Sequence, residues 1–422
     1  MRSHYKRIGD YVTQIKQKNT DGLVSDLKGI NINKYFMPSV ANTNGTDLKK
    51  YRVVAKKQFA FNPMHVGRDE ILPIAMLETD DPIIVSPAYV VFGVKDEEQL
   101  LPEYLMLWCR RSEFDRNAWF MTDNSVRGGF SWSDFCDMEF PVPHIEKQRE
   151  IVREYDIVND RIALNNQFIQ ELEDTVQTIY KRWFVDFEFP ISKKYANSIG
   201  RPEIEGMPYK STGGRMAYST QYGKDLPLGW QLYELENLVE RVCVGFVGTL
   251  HSSYCKEEEG VRLLRTTDLS ELGMQYAENK FVLPEFHHKN IKSQLNYGDI
   301  LVARHGSNGM PVIYDRTDES NCLNVIIVKP ASERMPSKVV QTFMKSNSAM
   351  EQVRVSLRGS VQSVLNTKIV ASMKLPYFPH DAVNYVDLSP FSKIQQHIES
   401  IRKESELLNK FRLLLFTKIS KA

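Results

Sequence analysis

Residues 151–183, IVREYDIVNDRIALNNQFIQELEDTVQTIYKRW, decide the fold. Within them Ile151, Tyr155, Val158, Ile162, Asn165, Ile169, Leu172, Val176, Ile179 and Trp183 fall at alternating steps of four and three. That period keeps one seam of a helix facing a partner helix along its whole length. A second seam, Ile394, Ile398, Ile401, Ser405, Leu408, Arg412, Leu415 and Ile419, keeps the same alternation near the other end of the chain. Two matching seams, each needing a partner, predict that the helices pack on each other.

Charge supports the pairing. Residues 146–190 carry six Lys/Arg against ten Asp/Glu, whereas residues 391–422 carry seven against three. Oppositely charged helices of like phase favour each other over self-pairing. Asn165 on the first seam reads as a register device, and Arg412 on the second as a side chain that snorkels or meets an acidic partner. The first helix is expected to run from near Glu146 to Phe189-Pro190, because proline cannot continue it.

Each helix follows a mixed globular block, so the chain reads as a head plus a long helix written twice, a spacer between two heads. The first head, 1–145, has β-type runs at Tyr51–Ala55, Gln58–Phe61, Pro82–Ser86 and Tyr89–Val94. It then has a helical stretch from Pro102 to about Trp119, a Gly-rich turn at Val126 to Phe130, and a Phe140-Pro141-Val142-Pro143 exit. Residues 191–225, polar and rich in Gly and Ser, read as a linker or irregular arm. The second head, 226–390, repeats the plan with strands at Val261–Leu264, Gly298–Ala303 and Val325–Lys329 and a helix around Val339–Leu357. A Gly turn at Arg358-Gly359-Ser360 and a Leu375-Pro376-Tyr377-Phe378-Pro379 exit close it. The fold class is therefore α+β: two mixed heads with mainly antiparallel sheets, joined by a long antiparallel two-helix coiled coil, with the second helix over 391–422.

Composition narrows the class. An apolar share of 42% and a charged share of 25% are those of a soluble globular protein, and 422 residues suffice for several cores. No run of eighteen apolar residues occurs, and MRSHYKRIGDYV lacks the apolar centre of a signal peptide. Cys109, Cys136, Cys243, Cys255 and Cys322 are scattered, with no CxxC pair, and read as reduced thiols in a cytoplasmic protein. With a net charge of +1, any nucleic-acid surface must be a local patch.

Chemistry is sparse. There is no phosphate loop and no GxGxxG after a strand. Asn62-Pro63-Met64-His65 lacks the second proline and the aromatic of a base-flipping methyltransferase pocket, and reads more simply as a strand-end turn. Asp268 with Glu278-Asn279-Lys280 matches a loose nuclease spacing that arises by chance in many chains. His251, Cys255 and Cys243 are badly spaced for zinc. No residue is assigned a catalytic or metal-binding role.

Several motifs resemble one family, the specificity (S) subunit of type I restriction–modification systems. They are Ile179 to Pro190 (IYKRWFVDFEFP), Leu226-Pro-Leu-Gly-Trp230, and Tyr297-Gly298-Asp299-Ile300-Leu301-Val302-Ala303-Arg304 with Gly359-Ser360-Val361-Gln362. Phe59-Ala60-Phe61-Asn62-Pro63-Met64 and Val85-Ser86-Pro87-Ala88-Tyr89-Val90-Val91-Phe92 complete the set. The resemblance implies that each head is a target recognition domain reading one half of a split site in double-stranded DNA. It further implies that the paired helices set the gap and dock two methyltransferase (M) subunits, and that a restriction/translocase (R) subunit joins. S-adenosylmethionine, ATP and Mg would then sit in those partners. The runner-up is a catalytic restriction enzyme or methyltransferase with its own recognition domains, against which the missing methyl-donor and ATP motifs argue.

Base edges are read by Arg, Lys, Asn and Gln, while phosphates are held by basic, hydroxyl and backbone N–H groups. On that chemistry the DNA-binding candidates are Asn62, His65 and Arg68 after a strand, and Ser125 and Arg127 in the Gly turn. In the second head they are Arg304, His305, Ser307 and Asn308 after the matching strand, and Arg358, Ser360 and Gln362 in the other loop. The plainer reading of each is a solvated turn residue. Trp183, Phe184 and Phe187 at the end of the first helix are candidates for partner docking, against simple end packing.

Overall fold

The computed structural model describes residues 5–421 except 40–45, 65, 67–69, 123–128, 251, 271–272, 275–278, 305–309, 332–334, 358–363 and 379–385, and the backbone alone at 420–421. By internal contacts the chain divides into two compact units: residues 1–163 with 405–422, and residues 164–404. Both long helices, Ile145–Tyr180 and Ser389–Lys421, pass through that division. Among the described residues, no helix is long and apolar enough to cross a membrane.

The first unit is built on an antiparallel sheet in the order Val12–Ile15, Val90–Val94, Phe59–Phe61, Ile74–Met76. These β-branched and aromatic runs bury one another's side chains, with Phe59 opposite Phe92 and their rings 4.8 Å apart. Phe61, Phe114, Phe130 and Phe135 fill the space over the sheet. The helical stretch from Pro102 is two helices, Pro102–Cys109 and Ser112–Phe120. The break falls at Arg110-Arg111, where Arg111 is extended and each guanidinium lies over a ring, Arg110 on Tyr35 and Arg111 on Trp108. Tyr5–Arg7 pairs with Glu139–Pro141 and closes the head.

In this unit the seam residues Ile151, Tyr155 and Val158 are buried with Leu415 and Ile419. Glu154 meets Lys418 at 2.7 Å and Asn159 accepts from Arg412 at 3.1 Å, so the helices run antiparallel. Arg412 thus finds an amide on the first helix, not a carboxylate. The buried Gln148 ties the helix to the head, accepting from Leu101 N–H and donating to the Gln99 carbonyl, both at 2.9 Å.

The second unit repeats the order: Val239–Val244, Val325–Pro330, Ile300–Ala303, Pro311–Ile313, again antiparallel. Read by rank in each head, first, fourth, second, third, the two sheets have the same topology. Two helices follow in each, here Ser337–Lys345 and Asn347–Leu357, broken at the extended Ser346 where one helix was expected. A short helix comes next, Trp132–Asp137 or Thr367–Ala371. An edge pair then ends each head, here Gln231–Glu234 with Lys374–Tyr377. The second head carries a further sheet of Tyr254–Cys255, Lys280–Val282, Val261–Leu264 and Ser320–Cys322, with one parallel pair.

Seam packing continues in this unit through Ile169, Ile398 and Ile401, with Leu172 and Ile394 alongside. Asn165, buried at the seam, donates to Glu404 at 3.2 Å, a polar pair that fits only one register. The first helix leaves the α-form earlier than the proline suggests. A π-turn spans Lys181–Val185, and Phe187 turns the chain at a φ of 61°. A bulky residue in that region costs about 1–2 kcal/mol. It is held there by burial of its ring edge-on to Trp230, 5.7 Å away. The stretch 191–225, read as a linker or irregular arm, contains the helix Lys193–Ser198 and the hairpin Met216–Ser219/Lys224–Pro227. Its Ile191, Ala196, Ile204 and Tyr209 are part of the second head's core, which is why so polar a segment is ordered.

Candidate nucleic-acid interface

The equivalent central strands, Phe59–Phe61 and Ile300–Ala303, each deliver the chain directly to a candidate residue. In the first head this is Asn62, half-buried, whose N–H donates to the Pro73 carbonyl at 2.9 Å. Its side-chain oxygen accepts from Met64 N–H at 3.1 Å, and the Tyr89 hydroxyl also bonds to the side chain. Asn62 is thereby committed to an Asx-type turn. In the second head it is Arg304, also half-buried, which donates to Asn324 at 2.7 Å. Asn324 sits at a φ of 55° and donates its own N–H to the Phe246 carbonyl. Arg304 therefore spends one N–H on a fixed support and retains others for a ligand, a geometry suited to bidentate reading.

Of the remaining candidates, His65, Arg68, Ser125, Arg127, His305, Ser307, Asn308, Arg358, Ser360 and Gln362 lie outside the described residues, as do His251 and Glu278. Their flanks are informative in the first head. Phe130 N–H donates to the Pro63 carbonyl at 3.0 Å, bringing the exit of the 123–128 segment to the start of the 62–72 loop. The far end of that loop is fastened as well, Leu72 N–H donating to Asp115 at 3.1 Å. Asp115 also takes the ammonium of Lys34 at 2.7 Å. Burial pushes the Asp115 carboxyl above its usual range, partly offset by Lys34.

Trp183 and Phe184 are buried in the second unit's core, and Phe187 is buried against Trp230. Phe184 stacks on Tyr180 at 4.9 Å, and Trp183 meets Phe391 edge-on at 5.5 Å. These ring contacts are the ones that the end-packing reading calls for. Asp268 is also internally engaged, its carboxylate capping a 3-10 turn and pairing with Arg265 at 3.1 Å. Among the described residues no group of three His, Cys, Asp or Glu is placed around a metal position.

Sequence reasoning missed the clamp that mounts the second head on the helix. Glu173 of the first helix receives Lys338 at 2.6 Å and Lys345 at 3.2 Å, and Gln177 donates to the Thr342 carbonyl. Burial raises the Glu173 carboxyl, but the two ammoniums outweigh it and hold the group below its ordinary value. On the second helix Glu399 accepts from Tyr297 at 2.6 Å. The only signal for such a clamp was Glu173 beside the Leu172 seam position.

No protein-family profile matches the chain. It is 23% identical over 303 residues to the type I restriction enzyme HindI specificity subunit of Haemophilus influenzae, a match covering 59% of this chain. The matched part is 64% of that relative, less than two thirds of its length. The crystal structure of a type I restriction–modification system S subunit from M. genitalium overlays with a TM-score of 0.51 at 12% identity, over 99% of this chain and 95% of that one. An HsdS subunit from Thermoanaerobacter tengcongensis overlays more loosely, at 0.36 and 13% identity over 99% and 96%. In sequence the chain is similar to a type I restriction specificity subunit, and in fold it is similar to a type I S subunit.

Proposed function

We propose that the chain is the DNA-recognition subunit of a type I restriction–modification complex, with each head reading one half of a bipartite site in double-stranded DNA. The observation that carries this reading is the repeated head. The same strand order in the central sheet, the same two-helix and short-helix sequence, and a polar residue directly after the same central strand recur in both. A duplicated reader fits a ligand that presents two like surfaces in series, and duplex DNA does so. The similarity to a type I specificity subunit points the same way.

On this reading the subunit has no catalytic centre of its own. Two M subunits and the R subunits would dock on it, bringing S-adenosylmethionine, ATP and Mg, and the complex would work in the cytoplasm. Its test is methylome sequencing of cells carrying the chain with an M partner. A methylated motif in two parts separated by an unspecified gap is expected. Nuclease, methyltransferase or ATPase turnover by the purified chain alone, abolished by Asp268→Asn or Asn62→Ala, would favour a self-sufficient enzyme instead.

A further inference from the structure

The second head has an open cleft of about 410 Å³ between Val244-Gly245-Phe246 on one side and Lys289 to Ser293 on the other. Close packing and hydrogen bonds fix both walls to the head. Gly245 leaves the sheet so close to Cys322 that a Cβ there would lie 2.5 Å from the sulfur, and its N–H donates to the Val325 carbonyl. The opposite wall is held by buried Asn321, which donates to the Ser293 hydroxyl at 2.7 Å and to the Asn290 carbonyl at 3.2 Å.

On that wall Lys289 and Lys292 are exposed, and neither forms an ion pair among the described residues. The carboxylate of nearby Asp299 is taken up by Lys329, which also donates to the Gln294 carbonyl. Phe246 joins the cleft to the candidate reader: its carbonyl accepts from Asn324, whose side chain accepts from Arg304. A second open groove of this head, bounded by Lys256, Lys280, Glu257 and Glu258, carries both signs of charge and suits an anion poorly.

Resting on the DNA-recognition reading, we propose that this cleft grips the phosphate backbone of duplex DNA through Lys289 and Lys292 beside the base-reading Arg304. Lysine ammoniums act as point charges on phosphates without reading sequence. The pair would therefore supply affinity and set the register in which Arg304 meets a base edge.

The test is binding of the purified full-length chain to a labelled mixed-sequence duplex across a salt series, comparing wild type with K289A/K292A and K289R/K292R. Each lost phosphate contact lowers the slope of log K against log salt by about 0.9, so the alanine pair should flatten it by about two units. The arginine pair, which keeps both charges, should keep the wild-type slope. Thermal melts matching wild type would exclude misfolding, and a pair of milder variants, K289Q and K292Q singly, should each remove about half of the effect. Wild-type binding with an unchanged slope in K289A/K292A would overturn the cleft alone. No salt-dependent binding by wild type would instead overturn the DNA-recognition reading beneath it.

Discussion

Arg304 is the residue on which direct reading of a base is staked in the second head. It leaves a fully buried strand and is braced by Asn324, so its guanidinium is pre-organised. Arg304→Ala should cost about 1–3 kcal/mol on the preferred site and relax one position of one half-site, read from the methylated motif. A motif unchanged in every position, with unchanged affinity, would remove Arg304 from the interface. Asn62, by contrast, is spent on its own turn, and the neighbouring 65–69 stretch is the better place to look for the first head's reader. Buried charge gives a second residue-scale expectation. Because the Glu173 carboxyl is held below its ordinary value of 4.5, it stabilises the fold fully above that value. The contribution is lost as pH falls through the lower, folded value. Breaking the pair with Glu173→Gln should cost about 3–5 kcal/mol at neutral pH and flatten the acid limb of stability, measured by urea melts down the carboxylate range. An acid limb identical to wild type would show that Lys338 and Glu173 are not coupled.

At the scale of elements, the two long helices were legible from their period. The seam positions on both are buried or half-buried, because a three-and-four alternation keeps them on one side of the helix. Their ends were less legible. Proline at 190 marked where a helix must stop, but the chain stops it sooner through a π-turn and the left-handed Phe187, a choice set by burying rings that lie far apart in sequence. The two breaks differ: nothing local to Arg110-Arg111 resembles a breaker, and tertiary contacts place that bend, whereas Ser346 caps the following helix, its hydroxyl accepting from Ala349 N–H, a local signal that could have been read. Trp183→Ala tests the packing at that helix end. If the ring is core, the change should lower the stability of the chain by about 3–5 kcal/mol, seen as an early urea midpoint. Selective loss of a partner subunit with an unaltered midpoint would make it a docking residue instead.

For the whole molecule, duplication was readable as order, since turns, exits and helices recur in the same sequence, whereas strand pairing was not, because register between distant runs is written in no local pattern. The recognition residues were the least readable part, since which loop side chain meets a base depends on docking geometry. On the proposed reading, the helices act as a ruler between half-sites. A helix rises about 1.5 Å per residue, so one heptad added to each long helix should shift a head by about 10 Å, close to three base pairs. Methylome sequencing of cells expressing that lengthened chain with an M partner is the most direct measurement. The account predicts both half-sites unchanged and the gap between them longer by about three base pairs. Methylation at the original gap, or a motif with no gap at all, would contradict it.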